Sequence, residues 1–215
     1  HVKYMIQMHN VTKSYEISIR KRHGALSHLL TFLKGGAGNH QTVVLSNISA
    51  SFKAGECIGI IGSNGSGKTT LLRAIANIIR CDSGNITTSG KIVSVISLAQ
   101  GFEARLSTID NIIVCCALFG LSKCTIQERI PTILATAQLE DFKDAKLYQF
   151  SEGMKQRLAF AIALHCNPDV LLLDETFAMI DIAFKKQVIS ILKERTSHNM
   201  VTIITSNDLS DIEHF

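Results

Sequence analysis

The run GSNGSGKTT at residues 62–70 has the residue types that a phosphate binder needs. Gly62, Gly65 and Gly67 let the backbone curl with its N–H groups turned inward, a path that other residues take only at steric cost. Those donors, and the N-terminus of a helix that follows, hold phosphate oxygens. Lys68 sets a cation on the β- and γ-phosphates of a nucleotide, and Thr69 offers a hydroxyl to Mg²⁺. The run matches G-x-x-x-x-G-K-[ST] at every fixed position. Gly62, Ser63, Asn64, Gly65, Ser66, Gly67, Lys68, Thr69 and Thr70 are therefore the expected nucleotide-binding loop.

Such a loop needs an acid to hold the metal from the other side. VLLLDE at 170–175 supplies it: an apolar run, then Asp174 at its end. Glu175, the next residue, is placed to polarise an attacking water. A third stretch, FSEGMKQRLAF at 150–160, starts a helix with a capping serine, an acid and a glycine, then turns apolar at once. Ser151 is a good N-cap and Gly153 leaves bare backbone in the first turn. Leu158, Ala161, Ile162, Ala163 and Leu164 form a stripe to be buried. The helix body thus belongs to the core, and its N-terminus is polar, open and rich in donors.

The elements that position these residues alternate. Strands are expected over 3–15, 43–54, 57–61, 92–98, 169–174 and 200–205, and helices over 68–79, from Ser151 onward, and over 182–195. CIGII at 57–61 reads as a strand buried on both faces. The segment 103–147 is helical and reads as an insert between two halves of an α/β core. Strand and helix in alternation argue for a mostly parallel sheet covered on both faces. Between the first two strands lies a segment with a basic cluster, Arg20, Lys21, Arg22 and His23, and Leu26 to Leu33 can form amphipathic turns. It reads either as a solvated loop or as a surface helix that meets a membrane partner.

GSNGSGKTT, FSEGMKQRLAFA and LLLDE followed by IDIAF resemble an ABC-type ATPase over nearly the whole chain. The resemblance implies a P-loop ABC ATPase fold, α/β in class, with a RecA-like core, an N-terminal antiparallel β subdomain and a helical insert. It implies a division into residues 1–102 with 148–215 as the ATP-binding core and 103–147 as the helical part, with further chain expected after 215. ATP and Mg²⁺ are the implied cofactors, with Lys68, Glu175 and Asn207 catalytic and Thr69, Gln100 and Asp174 on the metal. Two copies would pair head to tail, so that Ser151, Gly153 and Met154 of one face the γ-phosphate held by the other. Tyr15 matches the aromatic that stacks on adenine, and Asp181 the D-loop aspartate. One position departs from the family: in IITSNDLS, Asn207 stands where most members carry the switch histidine.

The signature S-E-G-M, the short GF stretch after Gln100 and the run AMIDIAF look like the ATPases of bacterial polysaccharide exporters, the capsule, O-antigen and teichoic-acid branch. A transmembrane permease is then the implied partner and the cytoplasmic face of the cell membrane the implied place, with the chain peripheral. An ATPase subunit for a small solute or lipid, or a non-transport ABC ATPase, is the alternative. No Asn-Lys-x-Asp base reader of a GTPase occurs.

Composition agrees. The chain has 215 residues, 46% of them hydrophobic and 19% charged, enough apolar content for a sizeable core. A net charge of +4 is too mild to argue for nucleic acid as a partner. The longest apolar run, Ile112 to Leu121, is about half of what a membrane-spanning helix needs. Cys57, Cys81, Cys115, Cys116, Cys124 and Cys166 contain no CxxC pair and most sit in apolar runs; they are expected to be reduced, buried thiols of a cytosolic protein, with a zinc site as the alternative.

Overall fold

The structure, a computed structural model, describes residues 4–17, 40–175, 180–209 and 212. The basic cluster at 20–23 and the amphipathic turns at 26–33 lie outside the described residues.

Two sheets frame the molecule. Strands β1 (Tyr4–Ile17), β2 (His40–Lys53) and β4 (Ser83–Thr88) form an antiparallel sheet in the order β2-β1-β4. Strands β3 (Cys57–Ile61), β5 (Ile92–Ser94), β6 (Val170–Asp174) and β7 (Val201–Ser206) form a parallel sheet in the order β3-β7-β6-β5. Helix α1 (Lys68–Ile75) follows the glycine-rich loop. Helices α2 (Val95–Gln100), α3 (Thr108–Leu118), α4 (Lys123–Ala137) and α5 (Glu152–His165) precede β6, and α6 (Ile182–Ser197) follows it.

The side-chain alternation of a strand sorts the core into two layers. On β6, Val170 and Leu172 join Met5, Ile6, Met8, Leu71, Leu72 and Ile75, between the parallel sheet, α1 and the antiparallel sheet. Leu171 and Leu173 point the other way, into a cluster with Ile112, Ile133, Leu158, Ile162 and Phe184 from the remaining helices. β6 and β7 are buried along their whole length, as parallel strands covered on both faces should be.

Four local expectations need correcting. CIGII is not buried on both faces: β3 is an edge strand of the described sheet, its residues alternate between exposed and half-buried, and Ile61 is 48% exposed. The run 92–98 is not one strand. It leaves the sheet after Ser94 and turns into α2, whose Val95 and Leu98 are buried facing the helices. α1 ends at Ile75 because Ala76 caps it and Asn77 adopts a left-handed φ of 57°. The stripe on α5 is wider than a stripe, since every residue from Leu158 to Leu164 is buried. β4 escaped notice because SGNITT is polar and almost wholly exposed.

Burial expected of all six cysteines holds for Cys115, Cys116 and Cys166, whereas Cys57 and Cys124 are exposed and Cys81 is intermediate. Cys57 opens the edge strand, and Cys124 lies in the first turn of α4, its thiol directed to Glu128 at 3.4 Å.

Candidate functional site

The C-terminal ends of β3, β6 and β7 stop side by side. Ile61 pairs with Ser206 and Asp174 with Thr205. Ligand sites of open α/β sheets form at such ends. The glycine-rich loop leaves β3 here, the acid pair leaves β6, and residues 205–207 close β7.

The loop's shape follows from its glycines, each for a different reason. Gly67 has φ 97°, and a Cβ there would stand 2.9 Å from the Val44 carbonyl oxygen. Gly65 has φ 81° with open space around it, so backbone conformation alone demands glycine. Gly62 has no such φ, but a Cβ would meet Ser66 Oγ at 2.6 Å. Gly67 serves as N-cap of α1 without a side chain to bond the first-turn N–H groups. Those donors and the positive end of the helix dipole are what an anion uses.

Lys68 is 6% exposed, and its ammonium is fully directed. Nζ donates to Gly62 O at 2.7 Å and to Ser63 O at 3.1 Å, and it lies 3.2 Å from Glu175 Oε1. The cation of the loop and the carboxylate after β6 are thus already together. Asp174 is buried, and its Oδ1 accepts a hydrogen bond from the Thr205 hydroxyl. Glu175 is half-exposed and has a left-handed φ of 49°. Among the described residues, the other non-glycine residues of positive φ are Gln138 and five asparagines, a type that tolerates it better than glutamate.

Three consecutive residues of β7 and its end hold this arrangement. Thr205 accepts from Glu175 N through both its carbonyl, at 3.1 Å, and its hydroxyl, at 3.2 Å. The Ser206 carbonyl accepts from Gly62 N at 3.3 Å, tying down the start of the loop. Asn207 reaches Asn64 at the loop's far turn, with Nδ2 3.5 Å from Oδ1. Asn207 was singled out in the sequence; Thr205 was not. Its only signal was a hydroxyl near the C-terminal end of a strand whose centre, Ile203 and Ile204, is apolar.

The other expected site residues are spread around this centre. Tyr15, 39% exposed, pairs with Thr42 on β2. Thr42 is two residues along β2 from Val44, the residue that adjoins Gly67, so Tyr15 sits about 7 Å along the strand from the loop's closing turn. Lys13 Nζ lies 5.6 Å from its ring centre. Gln100 is the exposed last residue of α2, which packs against α5 and β6. Ser151 caps α5 as expected, its Oγ accepting from Met154 N at 3.2 Å. That bond occupies the Met154 N–H and leaves the Glu152 and Gly153 N–H groups at the helix start. Asp181 caps α6: Oδ1 accepts from Phe184 N at 2.9 Å, and this bond holds its carboxyl below the usual range.

Among the described residues, no group of three or more His, Cys, Asp or Glu could hold a metal alone. Thr69 and Asp174 are hard oxygen donors, and Mg²⁺ usually adds phosphate oxygens and waters to one or two such groups. The donor set fits a Mg²⁺ ion that arrives with a nucleotide.

Comparison with known proteins agrees with this geometry. Residues 45–178 match the family model described as ABC transporter. The O-antigen export system ATP-binding protein RfbB of Klebsiella pneumoniae is 30% identical, over 97% of this chain and 86% of its own. The teichoic acids export ATP-binding protein TagH of Bacillus anthracis is 32% identical over 100% of this chain, which spans only 38% of that longer relative. Among solved structures, the dimeric ATP-binding cassette MJ0796 bound to ADP and Pi superposes with a TM-score of 0.80 at 22% identity, covering 98% of this chain and 91% of that one. At that identity the likeness shows the fold: a P-loop α/β core with an antiparallel sheet and a set of helices.

Proposed function

The chain belongs to the ABC transporter family, and on that footing we propose that it is the ATPase subunit of a bacterial exporter of surface polysaccharide, acting as a head-to-tail pair with a second copy of itself. As a member of that family it binds ATP or ADP and hydrolyses ATP, and it serves a transporter at the membrane. No helix among the described residues is long and apolar enough to cross a membrane, so the permease is a separate partner in this reading. The chain sits on the cytoplasmic face of the cell membrane. The division into a nucleotide core, residues 1–102 with 148–215, and a helical part, residues 103–147, belongs to the same reading.

The observation that carries the ATPase chemistry is the meeting of Lys68 and Glu175, 3.2 Å apart beyond the C-terminal ends of β3 and β6, the two strands that flank β7. Phosphate oxygens compete with Glu175 for the Lys68 ammonium. Once phosphate takes the place of Glu175 at the fixed ammonium, Glu175 moves away and is released as a base beside the γ-phosphorus. A water then forms the new P–O bond, its proton passes to Glu175, and the bond to the ADP oxygen breaks. Thr69, Gln100 and Asp174 would hold Mg²⁺, which when bound would supply positive charge against the phosphates. The exposed N-terminus of α5 supplies donors to the γ-phosphate on the partner copy, with Ser151 and Gly153 nearest. Tyr15 stacks on adenine, and Asn207 faces the γ-phosphate as a neutral donor.

The polysaccharide cargo is supported by the names of RfbB and TagH, both export ATP-binding proteins. Its test is genetic. Cells lacking this chain should lose a surface polysaccharide and accumulate it inside, and the wild-type gene, but not its Glu175→Gln variant, should restore export. Normal surface polymer in the deletion, with loss of another solute's transport, would replace the cargo while leaving the ATPase standing.

A further inference from the structure

Thr205 is fully buried on β7, in register with Asp174 on β6. A hydroxyl carries one proton. Here that proton goes to Asp174 Oδ1, because a carboxylate can only accept. The hydroxyl's lone pairs then receive the N–H of Glu175 at 3.2 Å, and the same N–H also reaches the Thr205 carbonyl at 3.1 Å. One residue therefore grips both acids: the first by its side chain and the second by its main chain. The second grip falls where the backbone takes the left-handed φ of 49°, which costs a glutamate free energy and persists only when its surroundings enforce it.

The same strand contains an internal contrast. Thr202 is as buried as Thr205, yet its Oγ1 has no hydrogen-bond partner. A threonine on β7 is not bonded by default, so the two contacts of the Thr205 hydroxyl reflect its place between the acids.

We infer that Thr205 is a positioning residue of the hydrolytic centre, its hydroxyl linking the Asp174 carboxylate to the main chain of Glu175 so that the base keeps its aim. This rests on the roles given above to Asp174 and Glu175. Valine at this position keeps the β-branched shape and the strand but removes both hydroxyl contacts. The Glu175 N–H retains only the carbonyl, and Asp174 loses a donor in a buried place.

The test compares Thr205→Val, Thr205→Ser and Thr202→Val in the purified full chain by steady-state hydrolysis and by amide hydrogen exchange at Glu175. Thr205→Val should lower kcat by about tenfold, the scale of one lost hydrogen bond to a charged group. It should leave KM for ATP within about twofold and speed exchange of the Glu175 amide. Thr205→Ser should restore both, and Thr202→Val should change neither. Thr205→Cys, which offers only a weak donor, gives the same comparison should the valine variant not fold. An unchanged kcat or an unchanged exchange rate in Thr205→Val overturns the inference. So does a loss of kcat that serine does not restore, which would assign the effect to the methyl group's packing. A wild-type chain that never hydrolyses ATP would instead sink the ATPase reading, and amide exchange would still decide whether Thr205 holds Glu175.

Discussion

The ammonium of Lys68 is shared between the phosphate loop and the acid that follows β6: it donates to the Gly62 and Ser63 carbonyls and lies 3.2 Å from Glu175 Oε1. Lys68 is buried and Glu175 is half-exposed, so the lysine is fixed and the glutamate is the partner able to move away. The two residues are more than a hundred positions apart in sequence, and the parallel sheet is what joins them.

Lys68→Ala should weaken ATP binding by roughly 2–3 kcal/mol, the worth of a charge-assisted contact in a mostly dry site, or a factor of about 30–150 in Kd. Titration with a fluorescent ATP analogue measures this. Unchanged affinity in the variant would show that the loop does not hold the phosphates.

Glu175→Gln removes the base and the negative partner of Lys68 together. Hydrolysis should stop while ATP still binds, and a sandwich dimer should accumulate on adding ATP. Adding Ser151→Arg should abolish that dimer, because a long cation would fill the open helix end at which Ser151 stands. Size-exclusion chromatography with light scattering reads both steps. A protein that stays monomeric with ATP in Glu175→Gln would remove the paired arrangement.

Asn207 can donate a neutral hydrogen bond but never a charge. Hydrolysis should therefore be slow and show little change across histidine's ordinary pKa of about 6.5. Asn207→His should raise the rate by about tenfold, less than the roughly 10²–10³ of a whole transition-state donor because asparagine already supplies one N–H, and Asn207→Ala should lower it, with ATP affinity barely moved in either. The side chain's bond to Asn64 must break for it to turn to phosphate. An alanine variant as fast as wild type would show that this position does not touch the γ-phosphate.

His165 closes α5, where its carbonyl accepts from Arg129 and its Nε2 meets Thr136 Oγ1 at 3.1 Å. Burial, together with Arg195 and Arg129, pushes its pKa below 6.5. A depressed folded pKa means that the unfolded chain takes up the proton first. The stability contributed is present above about pH 6.5 and is lost as pH falls through the folded value. The thermal midpoint should drop on going from about pH 7 to about pH 5, and His165→Gln, which can still bond Thr136, should flatten that drop. An identical pH dependence in both proteins would mean that other groups set it.

How much of this was legible in the sequence differs from part to part. The glycine-rich loop between strand and helix, the acids at the end of β6 and the cap at Ser151 were readable because such features need fixed residue types at fixed spacing. β4 was not, since SGNITT carries no apolar alternation and earns its place only by pairing with β1. The switch from β5 to α2 within KIVSVISLAQ was hidden because a short apolar run suits a buried strand and a buried helix equally. Edge placement of β3 depends on which strand pairs with which, which no local pattern encodes. Thr205 was invisible for a related reason. A threonine in a strand reads as a β-branched filler until the register sets it opposite an aspartate.

The attachments made at Thr205, Ser206 and Asn207 also limit how the centre can move. Strand residues stand about 3.3 Å apart along one rigid line. The acid pair, the start of the phosphate loop and its far turn are therefore fastened to successive points of a single rail. They do not have independent degrees of freedom. Sliding β7 by one residue would turn the Thr205 side chain to the opposite face and carry the Thr205 and Ser206 carbonyls and Asn207 away from their partners. The mutual alignment of acid, cation and loop is thus a tolerance fixed by one strand's register.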